Sequence, residues 1–119
     1  MKRPHLTLGL IRAFDRLGET PSLAQLVEAA SEKVRQANPR WVVKIDYPVG
    51  SDLACGLLLS DGVNATSVPV RTTSHALAFC ASPARKQDFV VLLGEPEQTE
   101  RLTDFLIELI NGFFGEDAG

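Results

Sequence analysis

The chain is poor in the residues from which reaction centres are usually built. It has two cysteines, two histidines, one tryptophan, one tyrosine and one methionine in 119 residues. Cys55 and Cys80 each lie in an apolar, strand-like run, where a reduced cysteine behaves as a small buried hydrophobe, so they are read as free thiols and not as a disulfide framework. His5 and His75 lie far apart and have no carboxylates at helical ligand spacing beside them, which leaves a zinc site without support. Gly50-Ser51-Asp52 and Asp61-Gly62-Val63-Asn64 are turns, and neither opens a helix with the glycine spacing that presents a row of amides to a phosphate. No cofactor is expected.

Long hydrophobic runs are absent as well. No stretch approaches the roughly 20 apolar residues that span a bilayer, and Arg12, Asp15 and Arg16 interrupt what would be the apolar part of a signal peptide. The expectation is a cytoplasmic protein without membrane contact. The net charge of −3 is unevenly spread: residues 1–40 carry seven basic residues against four acidic ones, and residues 94–119 carry Arg101 alone against seven acids. An acidic balance creates no long-range attraction for a polyanion. The helix read after Ser22 exposes Glu28, Ser31, Glu32 and Lys33, where a recognition helix offers uninterrupted donors to base edges. Nucleic acid is therefore not an expected partner.

What is present is periodicity. An apolar fraction of 45% and a charged fraction of 23% are ordinary for a folded globular chain of one domain over residues 1–119, with 115–119 read as a disordered acidic tail. Leu10, Ile11, Phe14 and Leu17 recur at helical spacing before Gly18, which predicts a helix over 7–17. Ser22 and Gln25 match a capping box, and Leu23, Leu26, Val27, Ala30, Val34 and Ala37 form one stripe of a second helix that Asn38-Pro39 ends. From Trp41 the period changes to two. Strands are predicted over 41–47, 53–59, 64–71, 75–82 and 89–93, joined by short polar turns that leave no room for crossover helices, so the pairings should be mainly antiparallel. The run 53–59 is apolar on both faces and reads as interior, whereas Pro69, which has no amide donor, makes 64–71 read as an edge strand. A last helix over 97–114 presents Leu102, Phe105, Leu106, Leu109, Ile110, Phe113 and Phe114 at i, i+3, i+4, i+7 spacing. The fold class is thus α+β: two N-terminal helices, an antiparallel sheet of about five strands, and one C-terminal amphipathic helix.

Catalysis would have to use Asp46, Asp52, Asp61, His75, Cys55 or Cys80, and these form no diagnostic set. His75 and Cys80 are an odd number of residues apart in one strand and so face opposite ways. The chain is read as a non-enzyme.

Two stretches resemble a known architecture. Residues 21–30, Pro-Ser-Leu-Ala-Gln-Leu-Val-Glu-Ala-Ala, resemble the opening helix of a GAF-type or PAS-like sensory domain, and Val68-Pro69-Val70-Arg71 followed by 75–81 resembles its late paired strands. The resemblance implies a non-catalytic regulatory module, often dimeric through its terminal helices, and carries over no ligand residue. Two functions follow as expectations. One is a small sensory or regulatory domain that binds a small ligand or a protein partner, with Trp41, Gly56, Phe79 and Arg71 as the ligand-site candidates. The other is a dedicated protein-interaction protein, a secretion-chaperone-like or inhibitor-like homodimer, with Leu106, Ile107, Ile110, Phe113 and Phe114 at the dimer or partner interface. The first predicts an enclosed cavity and the second an open apolar patch.

Overall fold

A computed structural model describes residues 4–46, 54–81 and 85–114 of the chain, with side chains from residue 6 onward and from residue 55 in the second segment. Tyr47, the turn read over 48–52, Leu53, part of the turn after Ala81 and the tail 115–119 lie outside the described residues.

The elements are α1 (Pro4–Asp15), α2 (Leu23–Ala37), β1 (Val42–Asp46), β2 (Ala54–Ser60), β3 (Ala65–Thr72), β4 (Ala76–Phe79), β5 (Phe89–Leu92) and α3 (Pro96–Phe114). The strands form one antiparallel sheet in chain order, β1-β2-β3-β4-β5. This is the expected α+β architecture. The first helix begins at Pro4, a few residues earlier than its apolar period suggests; proline suits the first position of a helix, where its missing N–H would have no partner. Gly18 follows with φ of 96°, and the α2 capping box is complete: Gln25 N–H donates to Ser22 Oγ at 3.1 Å, and Ser22 N–H donates to Gln25 Oε1 at 2.9 Å.

All three helices lie on the same face of the sheet. Leu10 and Phe14 of α1, Leu26 and Val34 of α2, and Leu106 and Ile110 of α3 join Val43, Leu57, Leu59, Val70, Phe79 and Val91 in one buried cluster. The alternate strand residues Lys44, Ser67, Pro69, Arg71, Val90 and Leu92 are exposed on the other face. Among the described residues the result is two layers with one face of the sheet uncovered. The chain end of α3 reaches the start of β1, where Phe114 stacks on Trp41 with ring centroids 4.6 Å apart.

One expectation is overturned. β3 is the middle strand of the five, bonded to β2 on one side and β4 on the other, and the edges are β1 and β5. Pro69 is tolerated there because its missing donor falls at the end of the β3–β4 ladder and is replaced. Cys80 N–H donates to the Pro69 carbonyl at 2.9 Å. The reciprocal bond, from residue 69 to the Cys80 carbonyl, is unavailable to proline. Arg85 Nη2 supplies it instead, donating to the Cys80 carbonyl at 2.8 Å. Removing Arg85 should therefore leave a carbonyl short of a partner. Arg85→Ala is expected to cost about 2 kcal/mol, and Pro69→Ala, which restores an N–H to the ladder, should recover about 1 kcal/mol of that loss in the Arg85→Ala background while gaining nothing alone. Urea unfolding of the four proteins gives the coupling; strict additivity would show that the guanidinium does not substitute for the proline.

The β5 edge is also closed by side chains. Leu93 N–H donates to the His75 carbonyl, which by the antiparallel alternation turns the polar groups of Val90 and Leu92 outward. Gln98 Oε1 accepts from Leu92 N–H at 3.2 Å, and Arg101 Nη1 donates to the Val90 carbonyl at 3.4 Å and to Gln98 Oε1 at 2.8 Å. The first turns of α3 thus cap the outer side of the sheet.

Candidate interaction surface

The residues proposed for a ligand pocket are dispersed by the fold. Trp41 is buried against Phe114 at the end of the helical layer. Phe79 has no exposed surface and lies against Phe105, with centroids 4.9 Å apart, and against Phe89 at 6.2 Å. Gly56 pairs with Asp46 and Pro69, and a Cβ built on it would come 2.5 Å from Ser67 Oγ and 3.8 Å from the Asp46 carbonyl. The space beside this glycine is thus filled by a neighbouring strand's hydroxyl. Arg71 pairs with Ala78 and is exposed in the middle of the uncovered face, so it guards no sheet edge. Trp41 and Phe79 belong to the helix-covered side and Arg71 to the opposite side; the four do not converge.

The α3 candidates divide in the same way. Leu106, Ile110 and Phe114 are buried in the core of their own chain, and Ile107 and Phe113 are half-buried against it. Phe113 meets Phe114 edge-on at 5.0 Å. The stripe that suggested an interface therefore packs mainly on the sheet.

The two cysteines are free thiols on opposite faces: Cys55 is buried opposite Val70 in the core, and Cys80 is half-buried on the other side of the sheet. Burial pushes the Cys55 thiol above its ordinary value of 9.0, which keeps it protonated and unreactive. Asp61 is the reverse. Its Oδ1 accepts from the backbone N–H groups of Asn64 at 2.7 Å and Val63 at 2.9 Å, and these bonds, Asn64 first, hold its carboxyl below the ordinary 3.8. Asp61 closes the β2–β3 turn around Gly62, whose φ is 95°. Among the described residues, no three histidine, cysteine or acidic side chains gather at a metal-binding distance.

Two surfaces remain that sequence reasoning did not single out. The first is the β4–β5 half of the uncovered face. Val90 and Leu92 are each 47% exposed, Val90 pairs with Ala78 and Leu92 with Ala76, and Arg71 borders them through Ala78. The alternation of Phe89 to Leu93 held the only signal, and it could not say which face lacked a cover. The second is a groove of about 740 Å³ between α2 and β1, with Leu17, Val27 and Ile45 among its apolar residues and Arg35 and Lys44 among its charged ones.

No family model, curated protein or solved structure matches the chain. No helix among the described residues is long and apolar enough to cross a membrane.

Proposed function

We propose that this chain is a non-catalytic regulatory domain that binds a protein partner through the uncovered face of its sheet. One observation carries the reading: the helices cover one face only, and the other presents Val90 and Leu92 beside the small side chains of Ala76 and Ala78. Valine and leucine on an exposed sheet face suit the apolar centre of a protein contact, with Arg71 at its border as a polar anchor. The resemblance of residues 21–30, 68–71 and 75–81 to GAF-type and PAS-like domains supports the regulatory part of the reading. The placing of Trp41 and Phe79 on one side of the sheet and Arg71 on the other favours a protein partner over an enclosed small ligand.

The test is a paired variant. Val90→Asp with Leu92→Asp changes exposed side chains, so the melting temperature should stay within about 2–3 °C of the wild type. Proteins cross-linked to the wild type in its host lysate, quantified by mass spectrometry, should include at least one that is lost with the variant. An identical set for both proteins, or strong thermal stabilisation of the wild type by a small molecule, would reject the reading.

A further inference from the structure

The helical layer has an outer surface of its own, on the opposite side of the molecule from Val90 and Leu92. In that layer α1 lies between α2 and α3. It runs antiparallel to α3: near its start Thr7 Oγ1 accepts from Asn111 Nδ2 at 2.7 Å, and near its end Phe14 and Asp15 line one small cavity with Thr99, Glu100 and Thr103. Four residues on from Thr7 is Ile11, and four back from Asn111 is Ile107, so the two isoleucines stand at one height on either side of the α1–α3 seam. Ile107 is half-buried against the core. Leu8 and Ile11, three residues apart on one face of α1, are 49% and 40% exposed.

The two helices carry opposite charge. α1 and the residue after it expose Arg12 and Arg16 against Asp15, two cations to one acid. α3 exposes Glu97, Glu100, Asp104 and Glu108 against Arg101, four acids to one cation, and that cation is turned to the β5 edge, where it donates to the Val90 carbonyl. By the same matching of heights, Arg12 is level with the interval between Asp104 and Glu108, and Arg16 with the interval between Glu100 and Asp104.

We infer that the chain forms a homodimer through the outer surface of its helical layer, with α1 of each copy lying over α3 of the other. A two-fold axis parallel to the helices and above the α1–α3 seam produces this contact, and it keeps the heights matched between copies. Arg12 and Arg16 of each copy then stand over the acids of the other, and Leu8, Ile11 and Ile107 of both gather around the axis. A two-fold axis across the helices fits less well. It lays α3 over α3 and sets four acids against four. Charge thus selects a second copy as the occupant and fixes its orientation. The inference is independent of the open-face reading, because the two surfaces lie on opposite sides of the sheet.

The test is sedimentation velocity of the full chain over a concentration series reaching about 1 mM, at which an interface of millimolar dissociation constant is half formed. The wild type should show a monomer–dimer equilibrium that weakens as salt is added. Arg12→Glu and Glu108→Lys change exposed side chains, so each should keep the wild-type circular dichroism. Each should weaken the dimer at least about tenfold, since symmetry places the altered contact in the interface twice. Both changes in one chain exchange the charges and should restore the dimer. Leu8→Asp should abolish it, whereas Val90→Asp with Leu92→Asp should leave it intact. A wild type that stays monomeric throughout the series overturns the inference, as does a folded charge-exchanged chain that associates no better than either single variant. A dimer lost with the Val90 and Leu92 changes but kept in Leu8→Asp would put the contact on the open face and overturn it as well.

Discussion

Ile110→Asp is expected to leave the chain unfolded at room temperature. Ile110 sits on the sheet-facing side of α3 at 1% exposure, in the same cluster as Leu57, Phe79 and Leu106. An aspartate there forfeits the burial of the isoleucine and must either hold an unpaired charge away from water or bind a proton to avoid it. The combined cost is on the order of 5 kcal/mol or more, comparable with the whole stability of a domain of this size. Circular dichroism and urea titration measure it directly. A cooperative, folded variant weakened by less than about 2 kcal/mol would contradict the packing of α3 on the sheet. The experiment also separates two roles for the helix. If the stripe served mainly an interface between chains, Ile110→Asp would give a folded monomer; if it serves the core, the chain unfolds before any association is lost. Phe113→Asp, at a half-buried position, should be the milder of the two.

Phe79→Ala is the second large effect, at about 3–5 kcal/mol. The ring is fully buried in β4 and forms the inner end of an aromatic group that ties the sheet to α3. Phe105 of α3 lies 4.9 Å from Phe79 and stacks on Phe89 of β5 at 4.2 Å with an interplanar angle of 4°. Two cations close the stack: Arg85 Cζ lies 5.0 Å from the Phe105 ring and Arg101 Cζ 5.2 Å from the Phe89 ring. Truncating Phe79 removes its burial and leaves the other two rings without their inner support, so the value should fall in the upper part of the range. For 119 residues this corresponds to a melting temperature lower by roughly 12–20 °C. Phe79→Leu, which keeps most of the volume, should lose less than half as much; equal losses would show that the aromatic geometry, and not the filled space, holds this corner together.

The helices were legible because their signals are local. Ser22 and Gln25 are three residues apart, and the stripe from Leu102 to Phe114 repeats within one element, so neither needs a distant neighbour to be read. The strands were legible for the same reason, as a change of period at Trp41. Pro69 was misread because its consequence depends on a residue outside its strand: the lost donor matters only where the β3–β4 ladder would have used it, and Arg85 fills that place from the following loop. No local pattern announces such a substitution. The candidate ligand residues were grouped by chemistry and by strand, but the pleat sends Arg71 to one face and Phe79 to the other, and the helices cover only the second.

By itself the sequence determined the number, type and order of the elements, and the antiparallel pairing that its short connections allow, because capping, periodicity and loop length act over a few residues. The tertiary structure alone decided that β3 is the middle strand, that the stripe of α3 is largely core, that among the described residues the helices cover one face of the sheet only, and that side chains of α3 cap β5. Each of these depends on which surfaces meet across long separations in the chain, and the free energy of burying apolar area is indifferent to sequence distance.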